Sequence, residues 1–320
     1  MNIIKKIPEI SKEIHKFDVL TVLENKYSII GPLWVRYQIE WLNDVYTAFK
    51  DHEKFLICIY LVKKTLDFYS RNFIKLPLDH FYSKSTIEIE KINIIEISTE
   101  LNIPKESVRR KIVELEKLGV IKRNNKKITI DRSVGSFVKP INSIKRIGHF
   151  LSIFSDVLEK EKVLSKSLNS EILKKTIEEN FSYSWKLYYE LQIPMLLGYK
   201  NFFGDIETFH IFSTCVVNQH LFSKKNNKNQ MNRKEFIKSI YTNTKMQGLN
   251  AMSISDITKI PRATVVRKLN QLVKLNYLIL DDKKHYKLTG VLVIKLIPLQ
   301  RVVLERLANF STKIFNLSIL

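Results

Sequence analysis

The chain of 320 residues carries 53 Lys and Arg against 32 Asp and Glu, a formal net charge of +21. Its 45% apolar and 27% charged content excludes wholesale disorder, and 8 Gly with 8 Pro argue against turn-rich sandwiches and barrels, so a helical protein of about two domains is expected. Two cysteines, Cys58 and Cys215, cannot build a disulfide framework, and a reducing cytoplasm is the expected compartment. No apolar leader segment and no long apolar run stands out, so neither secretion nor a membrane span is expected.

Period-3.6 spacing of apolar residues predicts helices over 11–24, 33–49, 53–73, 96–101, 105–118 and 141–161. Between the last two, strands at 120–123 and 127–131 flank an Asn124-Asn125 turn, a hairpin signal. The second half repeats this pattern with helices over 171–197, 205–221, 233–245, 255–259, 262–275 and 298–317. Its hairpin runs over 277–280 and 285–289, with the turn at Asp281–Lys284, and the polar stretch Ser223–Asn232 reads as a loop. The expected halves are 1–160 and 161–320. The surplus charge is grouped: 105–146 holds 13 basic and 4 acidic residues, 224–245 is net +6 and 262–306 is net +7.

An internal repeat explains the recurrence. At an offset of 157, Ile97–Ile121 (ISTELNIPKESVRRKIVELEKLGVI) matches Ile254–Leu278 (ISDITKIPRATVVRKLNQLVKLNYL) at 10 of 25 positions without a gap. The same offset pairs Phe55–Val62 with Phe212–Gln219 and makes Cys58 the counterpart of Cys215. Pro140 and Pro298 are each expected to open a long amphipathic helix. Within the repeat, Pro104 and Pro261 pre-set φ where the second helix begins. Val108, Ile112 and Leu115 form an apolar stripe at i, i+4, i+7. Gly119, and Asn276 in its place, supply a left-handed residue for leaving the helix.

Helix, tight turn, helix and hairpin in this order resemble the winged helix-turn-helix of the IclR and MarR regulator families. The resemblance rests on Ile97-Ser98, Ile103-Pro104, Ser107-Val108, Arg110, Leu115 and Leu118-Gly119, and on Ile254-Ser255, Ile260-Pro261, Thr264-Val265, Arg267, Leu272 and Leu275. It covers two units, at about 92–132 and 249–290. The fold class it implies is mainly α with small β wings, as duplicated winged helix-turn-helix halves flanked by additional helices. The partner it implies is double-stranded DNA, with both halves acting as a pseudo-dimer in one chain and further homo-oligomerisation left open.

In that arrangement the outward face of each second helix enters the major groove. Lys105, Ser107, Arg109, Arg110 and Lys111 are the candidates on the first, and Arg262, Thr264, Arg267, Lys268, Gln271 and Lys274 on the second. Arg110 and Arg267 suit guanine, Gln271 suits adenine and the Thr264 methyl suits thymine, while Arg109, Lys111 and Lys268 read as phosphate ligands. Lys122, Arg123, Lys126 and Lys127 on the first wing, and Lys283, Lys284 and Lys287 on the second, are placed to follow the backbone. Glu106 and Glu114 on the first face, and Asp281 and Asp282 at the second wing tip, oppose phosphate approach and predict asymmetric specificity.

No enzyme is expected. The seven His show no metal-ligand spacing, two distant Cys make no zinc finger, and no phosphate-loop or nucleophile-elbow motif occurs, so no cofactor or metal is implied. Both thiols sit in apolar stretches and read as inert. The stripes Trp34, Tyr37, Trp41 and Tyr183, Trp185, Tyr188, Tyr189 read as core or subunit interface, with an effector pocket as the other option. Transcriptional regulation is the leading expectation; a plasmid-type replication initiator and a non-specific nucleoid scaffold stay open beside it.

Overall fold

Apolar residues spaced three and four apart wind most of the chain into helices, and the protein is mainly α. The computed structural model describes residues 13–83, 86–88, 93–124, 127–131, 139–226, 230–242 and 247–319. The first half runs α1 (Lys16–Asn25), α2 (Tyr27–Phe49), α3 (His52–Arg71), α4 (Leu78–Ser83), β1 (Thr86–Glu88), α5 (Ile94–Leu101), α6 (Lys105–Lys117), β2 (Ile121–Asn124), β3 (Lys127–Asp131) and α7 (Ile141–Lys160). The second runs α8 (Ser170–Glu179), α9 (Phe181–Phe203), α10 (Ile206–Asn226), α11 (Arg233–Thr242), α12 (Ala251–Thr258), α13 (Arg262–Lys274), β4 (Leu278–Leu280), β5 (Tyr286–Leu288) and α14 (Val291–Ile319). Among the described residues no helix is long and apolar enough to cross a membrane.

The elements recur in order and length. Helices α1 and α8 each have 10 residues, α2 and α9 23, α5 and α12 8, and α6 and α13 13. Up to the start of α10 the offset is 154, not 157: Asp51-x-Glu53-x-Phe55-x-Ile57 lines up with Asp205-x-Glu207-x-Phe209-x-Ile211. Cys58 therefore corresponds to Phe212, and the expected equivalence with Cys215 fails. From α5 and α12 onward the offset of 157 holds.

Several elements depart from the sequence reading: α2 begins at Tyr27, α4 is an unexpected helix, and α10 runs to Asn226, into the stretch Ser223–Asn232 expected as a loop. The helix expected over 171–197 is two, broken at Asn180, because the Ser182 N–H donates to the Leu76 carbonyl at 3.0 Å and its hydroxyl accepts from the Leu76 N–H at 2.9 Å. Pro298 lies inside α14, whereas Pro140 does stand at the start of α7. The first hairpin also gains a third strand: β1 pairs antiparallel to β3, giving the order β1-β3-β2. In the second half the described residues show one bridge in that place, between Leu249 and Tyr286 beside β4-β5. Gly248 permits it, since a Cβ there would sit 2.3 Å from the Tyr286 carbonyl oxygen.

The halves pack by exchange. Helix α3 lies on α9 and α10 on α2, while α1 lies on α14 and α7 on α8. One pair of bonds marks the reciprocity: Ser28 makes with Met231 the two backbone and hydroxyl bonds that Ser182 makes with Leu76. A single buried cluster runs through both halves, and both aromatic stripes belong to it. At its centre the Tyr37 and Tyr188 hydroxyls meet at 2.6 Å. Burial pushes the thiols of Cys58 and Cys215 up to about 12, so both stay protonated and inert at neutral pH.

Candidate nucleic-acid interface

Each unit is built from the same local chemistry. Asn93 caps α5 by accepting from the Glu96 N–H, and Asn250 caps α12 by accepting from the Ser253 N–H. The helices end on left-handed residues, Asn102 at φ 49° and Lys259 at φ 61°. Across each turn a serine hydroxyl donates 2.7 Å to the residue before the proline, Ser98 to Ile103 and Ser255 to Ile260. Pro104 and Pro261 then start α6 and α13 with nearly identical backbone angles. Val108, Ile112 and Leu115, like Val265, Leu269 and Leu272, are fully buried. Gly119 at φ 74° and Asn276 at φ 57° turn the chain into the hairpins.

This packing decides what faces outward. Lys105, Arg109, Arg110, Arg262, Arg267, Gln271 and Lys274 are exposed, with Ser107 and Thr264 half-buried on the same faces. On the hairpins Lys122, Arg123, Lys283 and Lys284 are exposed and Lys287 is half-buried. Lys126 lies outside the described residues, and of Lys127 only its place in β3 is described. Lys111 and Lys268 correct the expectation of phosphate ligands. Both are buried and turned inward, Lys111 to Asp51, with Glu53 at 3.4 Å, and Lys268 to Asp205. A wheel drawn on one helix gives direction but not what the neighbouring helix offers.

What it offers is a capped helix start. The Asp51 carboxylate accepts from the N–H groups of Glu53 and Lys54 at the start of α3, and Asp205 accepts from Thr208 at the start of α10. Burial pushes both carboxyls up. The lysine bond and these backbone donors outweigh it and hold both below the ordinary carboxylate range. The signal for these anchors was legible only at the offset of 154, where the Asp-x-Glu-x-Phe-x-Ile segments coincide.

The two helix starts also touch each other. The imidazoles of His52 and His210 meet at 3.1 Å, His52 Nδ1 lies 3.2 Å from Glu207, and His210 Nε2 lies 2.8 Å from the Asn43 side-chain oxygen. Burial, then the neighbouring His52, pushes His210 well below the usual histidine value. Lys200 of α9 reaches across to the Asn102 carbonyl and to Glu53, each at 2.8 Å, and so supports the C-terminus of α5. Both outward helices are thus tied to one polar frame at the junction of the halves.

The outward faces differ in charge. On α6, Arg109 lies 3.4 Å from Glu106 and Arg110 lies 3.9 Å from Glu114, while Arg123 on the hairpin donates to Glu116 at 2.9 Å. On α13 no acidic residue occurs at all, and among the described residues Arg262, Arg267 and Lys274 make no ion pair. At the second hairpin Asp281 holds Lys287 at 3.0 Å.

No family model, curated protein or solved structure matches the chain. The reading of the interface therefore rests on its own residues.

Proposed function

We propose that this chain is a duplicated winged helix-turn-helix protein that binds double-stranded DNA through α6, α13 and their hairpins, as a transcriptional regulator. The observation that carries the reading is the face of α13. Arg262, Arg267, Gln271 and Lys274 stand exposed on a helix without a carboxylate, beside a hairpin that exposes Lys283 and Lys284. Such a face offers phosphates unopposed charge and offers base edges one guanidinium and one amide in the geometry that guanine and adenine accept. The matching α6 supports a second contact from the same chain, and the shared frame at His52 and His210 supports a pseudo-dimer. In this reading α13 is the principal reader, because the arginines of α6 and its hairpin already lie beside carboxylates.

Selection of bound duplexes from a random pool tests the proposal. The expected product is an asymmetric site preferred about 10³-fold or more over random DNA at physiological salt. Arg267→Ala then weakens that site by roughly 1–3 kcal/mol, and Arg110→Ala by less. Equal affinity for all duplexes would point to a scaffold, perfectly palindromic products would refute the asymmetry, and no binding would refute the reading.

A further inference from the structure

We infer that the first half contains a binding chamber for a small, neutral, planar aromatic molecule. The evidence is a comparison of the chain with itself. Between α2, α3 and α9 the first half has a half-open pocket of about 760 Å³, whereas the corresponding space in the second half, between α9, α10 and α2, has about 70 Å³. The two are the same place: Trp41, Phe49, Phe55 and Val62 line one, and Met195, Phe203, Phe209 and Val216, each 154 residues on, line the other.

The second space is filled by its own rings. Tyr199 stacks on Phe209 at 4.0 Å and 7°, Phe202 stacks on Tyr277 at 6.0 Å and 24°, and Phe212 packs on Phe203 at 5.1 Å. In the first half the counterparts of Tyr199, Phe202, Phe212 and Tyr277 are Val45, Ala48, Cys58 and Val120, all of which line the pocket. Four aromatic side chains are replaced by small apolar ones. Trp41 and Tyr189, larger than their counterparts Met195 and Val35, stand in its walls. An apolar cavity of about 150 Å³ already admits a benzene ring, so the first chamber has ample room and the second has none.

The shape of the missing plug and the remaining walls define the ligand. The plug consists of four six-membered rings: Tyr199 lies flat on Phe209, Phe202 is stacked with Tyr277 and Phe212 is tilted on Phe203. The walls left behind, Trp41, Phe55, Trp185 and Tyr188, are aromatic; Trp185 is already stacked between Phe181 at 5.5 Å and Tyr188 at 4.5 Å, and the half-buried Phe55 is the most open of the four rings. Rings against such faces gain offset-stacked and edge contacts beyond their area burial. The charged residues at the rim are already paired, Asp44 with Arg146 and Lys139 with Asp79, so neither calls for an ionic ligand. This inference does not depend on DNA binding.

The test uses 2-naphthol as the probe on the intact chain, with binding measured by calorimetry and by fluorine NMR of protein labelled with 5-fluorotryptophan. The chain has three tryptophans: Trp41 and Trp185 line the first chamber and Trp34 lines the second. Saturable binding is expected to shift the Trp41 and Trp185 resonances and leave that of Trp34 in place, with Trp34→Phe used for assignment. The triple variant Val45→Tyr, Ala48→Phe, Cys58→Phe copies the plug of the second half and should weaken binding at least tenfold with unchanged helical content. Should that variant fail to fold, Cys58→Phe alone and the resonance pattern decide. No saturable binding, a shift at Trp34 alone, or full affinity in the folded plug variant would overturn the inference.

Discussion

Arg110 and Arg267 occupy the same place on two copies of one helix, yet among the described residues only Arg110 has a carboxylate within 4 Å. Glu114 lies 3.9 Å from it and also 2.7 Å from Lys54. Under the proposed function Glu114→Gln should tighten DNA binding by up to about tenfold at low salt, since it removes a charge that repels phosphates. Fluorescence anisotropy reads this directly, and an unchanged affinity would remove α6 from the interface. The buried lysines make a different prediction. Asp205→Asn keeps a capping side chain but leaves Lys268 without its anion, and a loss of about 1–3 kcal/mol in urea denaturation is expected. The carboxyls of Asp51, Asp205 and Glu207 all lie below their ordinary values; for Glu207 burial pushes up and the His52 contact outweighs it. A lowered carboxyl contributes stability above its unfolded value and loses it as pH falls through the folded one. The protein should therefore lose stability as the pH drops below about 4, and Asp205→Asn should flatten that part of the profile. Residue by residue, the outward face was legible because the stripe Val108, Ile112, Leu115 fixes the inward direction. Lys111 and Lys268 were not, since their aspartates stand some 60 positions earlier on another helix.

At the scale of elements, turns were easier to read than long helices. Pro104, Pro261, Ser98 and Ser255 act within five residues of themselves, so their spacing alone carries the geometry. The exit from α6 is equally local. Gly119 at φ 74° should resist Gly119→Ala, with a cost of about 1 kcal/mol seen as a lower melting temperature. Asn276→Gly, at φ 57°, should be neutral or slightly stabilising. An equal cost at both positions would mean that backbone conformation is not the cause. The breaks that escaped notice depend on partners far away in sequence. Asn180 ends α8 where Leu76 takes the first bonds of α9, and β1 adds to β3 across more than forty residues. Pro298 sits within α14, where proline removes one helix bond without ending the helix.

At the scale of the molecule, the recurrence of elements was legible from the 25-residue match, whereas their weaving was not, because no local pattern states which half supplies a helix's neighbour. The exchange of α3 onto α9 and of α10 onto α2, sealed by Ser28–Met231 and Ser182–Leu76, has a consequence for how the gene can be cut. Ser165 and Lys166 lie exposed in the loop between α7 and α8. Fragments divided there, 1–166 and 167–320, should each hold only one side of every exchanged contact. Expressed together, with a purification tag on one fragment only, they should copurify and melt in one cooperative transition; expressed singly, neither should be a folded monomer. A fragment that folds alone would contradict the weave. On this view the peptide link between the halves stores no fold information: it keeps two mutually templating strands at high effective concentration and in a strict one-to-one ratio.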